Sequence, residues 1–135
     1  MFDASENDLR FAIQHALGPE IHKLVSEIHD ISNDTVDVVL SEAAKFARDV
    51  IAPLNHLGDK EGCKWQADNT VQTPPGFKEA YKEMSEAGWC SIEGCEEFGG
   101  QNLSKMISAS TAEMWHSANM SFSLCHLLSL SLIHI

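Results

Sequence analysis

One helical stripe constrains this sequence more than any other feature. Between Asn33 and Leu54 the apolar positions Val36, Leu40, Ala43, Ala47, Val50 and Leu54 step by four and three. That spacing draws a single face down an α-helix and fits no strand. A second seam, Val39 and Phe46, widens the face, so the helix is expected to pack on both sides. Asn33 can cap it, Asp34 and Asp37 sit at its positive end, and Pro53 is expected to kink or end it. A long helix of this kind in a chain of 135 residues, which has room for one domain, makes a helical bundle the first expectation.

Other segments agree. DLRFAIQHALG places Leu9, Ile13 and Leu17 four apart and closes on Gly18-Pro19, a short amphipathic helix with a stop. A second short helix is expected over 20–28. From Gly58 to Gly76 the composition turns to Gly, Asp, Asn, Thr and Pro, with Trp65 and Val71 flanking Asp68-Asn69, which predicts a loop with a small hairpin. Thr73-Pro74-Pro75 launches a helix striped by Phe77, Ala80, Tyr81, Met84 and Ala87 and stopped at Gly88, with Trp89 folding back. Ser104 can cap the next helix, which carries Ile107, Thr111, Met114 and Ala118, and a last helix runs on from Asn119. The fold class is therefore all-α, a bundle of about five helices with one irregular loop or small hairpin.

Composition narrows function. A hydrophobic share of 44% can fill a core, which argues against disorder. The net charge of −11 repels polyphosphate, so nucleic acid is a poor partner. Met114 to Ile135 holds no Asp, Glu, Lys or Arg but has three His, one Asn and five Ser, which fits a buried helix better than a membrane span. The chain stops inside that stretch without cap or breaker and reads as cut. The start lacks a secretory signal, and Cys63, Cys90, Cys95 and Cys125 are unevenly spaced, so a reduced, cytoplasmic protein is expected.

Motifs for chemistry are sparse. His15, His22 and His29 recur every seven residues, ~10.5 Å apart on a helix and too far to share a metal. No metal site is expected. The cysteines form no zinc or redox spacing and are expected to be small buried side chains. Glu93, Glu96 and Glu97 read as solvated acids on a loop, Gly99-Gly100 as a turn, and Glu113 as a boundary residue on an apolar helix.

Read in order, PPGFKEAYKEMSEAGWCSIEGCEEFGGQNL and SKMISASTAEMWHSANMSF resemble the N-terminal α-helical domain of the acyl-CoA dehydrogenases. The shared features are the helix opened by Pro75 and ended at Gly88-Trp89, the turn Cys95-Glu96-Glu97-Phe98-Gly99-Gly100, and Glu113-Met114 ahead of the small-residue break Ser117-Ala118-Asn119. Ala44 to Asn55 matches the preceding helix of the family. The start of the chain and Gly58 to Cys63 resemble a branch of long bacterial enzymes that includes the 3-methylmercaptopropionyl-CoA dehydrogenases. Three departures stand out: Cys95 replaces a proline, Asn102 stands where glycine is common, and LSLSLIHI replaces a Gly-containing continuation, so 131–135 are expected not to be native.

The resemblance implies a division into an N-terminal helical extension, 1–30, and the α-domain, 31–135, truncated at its end. It implies a FAD-dependent enzyme that dehydrogenates an acyl-CoA thioester, works as a homo-oligomer and passes electrons to an electron-transfer flavoprotein. The flavin cradle and catalytic glutamate of the family lie in later domains, so no catalytic residue is assigned here and the chain alone is expected to be inactive. Its share is one wall of the acyl pocket, assigned to Phe122, Ser123 and His126 by their position after the small-residue break. The rival expectation is a free-standing acidic helical interaction module.

Overall fold

A computed structural model describes residues 2–16, 18–29 and 31–131, with side chains to residue 128. Seven α-helices are present among the described residues: α1 Glu6–His15, α2 Gly18–His29, α3 Asn33–Phe46, α4 Ala52–Glu61, α5 Phe77–Glu86, α6 Lys105–Ala118 and α7 Met120–Ser131. None is long and apolar enough to cross a membrane.

The expected stripe is the spine of the core. Val36, Leu40, Ala43 and Ala47 are buried, and α3 lies along α6, which in turn packs on α7. Two details differ from the sequence reading. Ser32, and not Asn33, caps α3, accepting the Thr35 amide at 3.1 Å from an extended backbone. The helical path also runs on past Pro53, through a wide π-turn at Ala47–Ile51 and into α4. The wide turn sits where the proline's missing N–H would interrupt an α-helical ladder. It also shifts the stripe by one position, so Ile51 is fully buried and Val50 only half-buried.

The N-terminal segment joins the same core. Leu9 and Ile13 are buried, and Arg10 donates to Asp37 on α3 at 2.6 Å and to Glu6 at 2.7 Å. Gly18, at φ +77°, makes the left-handed step between α1 and α2. Leu17 lies outside the described residues.

The small hairpin forms as expected, Lys64–Trp65 against Val71–Gln72 with Trp65 opposite Val71. Asn69 takes φ +65° in its turn, and Asp68 accepts the Thr70 amide and hydroxyl. On α5, Ala80 and Met84 are buried, but Ala87 is exposed because the helix ends just before it and Gly88 turns the chain left-handed. Ser104 accepts the Ile107 amide at 3.5 Å, and Ile107, Thr111, Met114 and Ala118 are all buried. Asn119 closes the break between α6 and α7, its Oδ1 accepting the Phe122 amide at 3.1 Å.

The loop Cys90–Leu103 carries two of the departures from the family pattern, and both obey backbone rules. Cys95 sits at φ −64°, ψ 139°, the conformation a proline imposes, and its N–H donates no hydrogen bond among the described residues. Asn102 sits at φ +51°, a left-handed position that glycine takes freely and asparagine tolerates. Cys95→Pro is therefore expected to stabilise the chain by about 0.4–1 kcal/mol through the unfolded state. Equilibrium urea unfolding checks it, and a lower midpoint would mean that Gly94 cannot precede a proline in this turn.

Candidate functional site

An open, mainly apolar cavity of about 590 Å³ lies between the end of α4, the hairpin, α5 and the first turns of α7. Its volume falls within the range of small-molecule sites. Gly58 on α4 makes the room for it to close on one side, since a Cβ there would lie 2.6 Å from the Phe77 ring. Val71 and Cys63 come from the hairpin region, Pro74 from the strap before α5, and Phe77, Lys78 and Tyr81 from successive positions of α5. From α7 come Ser121, Phe122 and Cys125, with Cys125 about one turn beyond the other two. The Phe77 and Phe122 rings meet edge to face at 5.7 Å, so the inner wall is fixed by aromatic packing.

The three residues assigned to an acyl wall are all buried but do not point the same way. Phe122 lines the cavity. Ser123 and His126 are absent from its lining and belong to the side of α7 that packs on α6. There the His126 ring stands edge-on to Trp115 at 5.7 Å. Ser123 Oγ, Asn119 Nδ2, Trp115 Nε1 and His116 Nε2 are buried without a hydrogen-bond partner among the described residues.

Glu93 was read as a solvated loop acid, and it is drawn inward instead. Lys105 donates to both of its carboxylate oxygens at 2.7 and 2.8 Å, and Ser108 donates a further short bond. Burial pushes the Glu93 carboxyl up, but these donors and the nearby His126 hold it below its ordinary value. Glu96 and Glu97 are exposed, as expected, and Glu113, expected at the boundary of its helix, is exposed as well. The cysteines correct the sequence reading: Cys63, Cys95 and Cys125 are exposed and only Cys90 is half-buried, because three of the four sit on loops or on the cavity face of α7. Burial pushes the Cys90 thiol up, partly offset by Tyr81. Of the seven-residue histidine series, His29 meets the Asn102 carbonyl at 2.9 Å and His15 rests on the Phe11 ring. No cluster of three metal-capable side chains occurs among the described residues.

Burial holds the His126 imidazole below its ordinary value, His116 pushes it the same way, and Glu93 opposes both. The unfolded chain, with a histidine of ordinary pKa near ~6.5, therefore binds the proton more readily. Stability from this group is present above that pH and is lost progressively as pH falls below it. The urea midpoint should drop between pH 7.5 and pH 5.5, and His126→Gln should flatten that drop. An unchanged slope in the variant would show that His126 does not carry the pH dependence.

Sequence reasoning missed most of the cavity. Its wall joins residues from α4, the hairpin region, α5 and α7 that are far apart in sequence, and of these only Phe122 was located, by its position after the small-residue break.

Comparison with known proteins gives a consistent pattern. Residues 33–134 match the family model described as acyl-CoA dehydrogenase, N-terminal domain, a range that includes most of the tail set apart by its sequence. A 3-methylmercaptopropionyl-CoA dehydrogenase of Ruegeria pomeroyi is 36% identical over 129 residues, which cover 95% of this chain and 22% of the relative. A butyryl-CoA dehydrogenase of Syntrophomonas wolfei is 36% identical over 88 residues, covering 60% of this chain and 14% of that enzyme. The chain thus spans under a quarter of the length of these curated relatives.

Proposed function

We propose that this chain, which belongs to the acyl-CoA dehydrogenase family, serves as the N-terminal helical part of a FAD-dependent acyl-CoA dehydrogenase and supplies one wall of its acyl pocket. The observation that carries the reading is the apolar cavity bounded by Phe77 and Phe122. In this reading Phe122 meets the acyl chain directly, while Ser123 and His126 are buried behind it and His126 holds α7 against Trp115.

The described residues suit the acyl part of such a substrate and not the flavin. A flavin dinucleotide carries a diphosphate, and the cavity offers it a single cation, Lys78, among apolar walls. FAD is accordingly assigned to segments outside this chain, where it would accept the hydride from the β-carbon. What this chain's residues do is bind and exclude water. Phe77, Phe122 and Pro74 surround hydrocarbon, and Lys78 can donate to a polar atom near the rim. The substrate, an acyl-CoA thioester, the electron-transfer flavoprotein partner and homo-oligomeric assembly are parts of the same proposal.

A second reading, a free-standing interaction module, draws on the exposed apolar residues Met120, Leu124, Leu127 and Leu128 of α7. The coding sequence downstream of Ile135 at the source locus separates the two. An open frame encoding a β-domain and a second helical domain supports the enzyme reading, and a stop codon directly after Ile135 contradicts it.

A further inference from the structure

Two thiols, Cys63 and Cys125, open onto the same apolar cavity, one from the hairpin side and one from α7. We propose that the cavity is a covalent capture site for apolar α,β-unsaturated carbonyl compounds, with Cys125 as the nucleophile. The proposal uses the cavity of the acyl reading but none of its dehydrogenase chemistry.

Three observations select that class of ligand. The lining around the thiols is hydrocarbon and aromatic, from Val71, Pro74, Phe77 and Phe122, so the bound tail is apolar. A thiol is a soft nucleophile suited to conjugate addition. Lys78 belongs to the same lining, and in the proposal its ammonium is the donor to the oxyanion that forms on the carbonyl. Cys125 is favoured over Cys63 because it lies one helical turn from Phe122 on a packed helix, and the Phe122 ring is held against Phe77. In the step, the Cys125 sulfur bonds to the β-carbon and the π pair shifts to the carbonyl as an enolate. The proton lost from the thiol is then returned at the α-carbon. Nothing leaves and no oxidant is needed.

The test uses the 135-residue chain and the enone trans-3-nonen-2-one, with acrylamide as a small polar acceptor, read by intact mass and peptide mapping. The expected result is one adduct of the full enone mass on Cys125, formed at least about tenfold faster than on Cys95, which is exposed on a turn outside the cavity. Cys125→Ser should remove that fast phase. The saturated ketone 2-nonanone should slow acrylamide labelling at Cys125 and leave Cys95 unaffected. Equal enone rates at Cys95 and Cys125, no protection by 2-nonanone, or an adduct that has lost water, as an imine on Lys78 would, overturns the proposal. Capture at Cys125 combined with a chain-length profile indifferent to Phe122 would sink the acyl reading alone, and the reverse pair of results would sink capture alone.

Discussion

Gly100→Ala is expected to destabilise the fold by more than ~3 kcal/mol, a cost reserved for a few mechanisms of which a clash with fixed backbone is one. A Cβ at this position would lie 2.0 Å from the Gly94 carbonyl oxygen and 2.1 Å from its carbon. Gly94 cannot retreat cheaply. Its carbonyl accepts the Asn102 amide at 2.9 Å, its own amide donates to Ser91 at 3.0 Å, and the Gly100 amide donates to Cys95 at 3.0 Å. Relief of the clash would break the loop that delivers Ser104 to cap α6. Neighbouring Gly99 gives the control: it needs φ +80° but has nothing within 4 Å, so Gly99→Ala should cost only the left-handed strain of about 1–2 kcal/mol. Urea unfolding of both variants decides the matter, and a Gly100→Ala cost no larger than that of Gly99→Ala would refute the close approach.

Trp115→Ala should cost about 3–5 kcal/mol, the range for removing a large aromatic side chain from a packed core. Trp115 is 1% exposed and meets Phe46 on α3, Trp89 beyond α5 and His126 on α7, with ring centroids at 6.5, 5.3 and 5.7 Å. It joins elements that are far apart in sequence, so its loss opens a void that no single neighbour can fill. Trp115→Phe keeps most of that contact and removes an indole N–H that has no partner among the described residues, so its cost should stay under about 2 kcal/mol. A loss below about 1 kcal/mol for Trp115→Ala, measured by chemical denaturation, would remove this residue from the centre of the core.

Most of the helical frame was legible because periodicity, caps and glycine stops are local signals. The stripe from Val36 to Ala47, the Ser104 cap, the Gly88 stop and the Trp65–Val71 hairpin all follow from neighbours in sequence. What escaped depends on a change of helix type or on distant partners. The π-turn moved burial from Val50 to Ile51, a shift invisible to a count at fixed period. Glu93 was drawn in by Lys105 and Ser108 on α6, twelve and fifteen residues away. Of the pocket residues, position after the small-residue break located the start of α7, but the side chain that lines the cavity depends on how that helix is rotated against α6. Phe122 and Cys125 face the cavity, His126 meets Trp115, and Ser123 is buried outside the cavity lining.

The acyl-wall claim is tested most directly by the chain-length profile of a dehydrogenase assembled from this chain and the remaining domains of a relative. Phe122→Ala should raise kcat/KM for longer acyl-CoA thioesters relative to short ones by about tenfold, the scale of one or two methylenes in an apolar pocket. His126→Leu, behind the wall, should leave the profile unchanged. An unaltered profile in Phe122→Ala, with the assembled enzyme active and folded, would contradict the account.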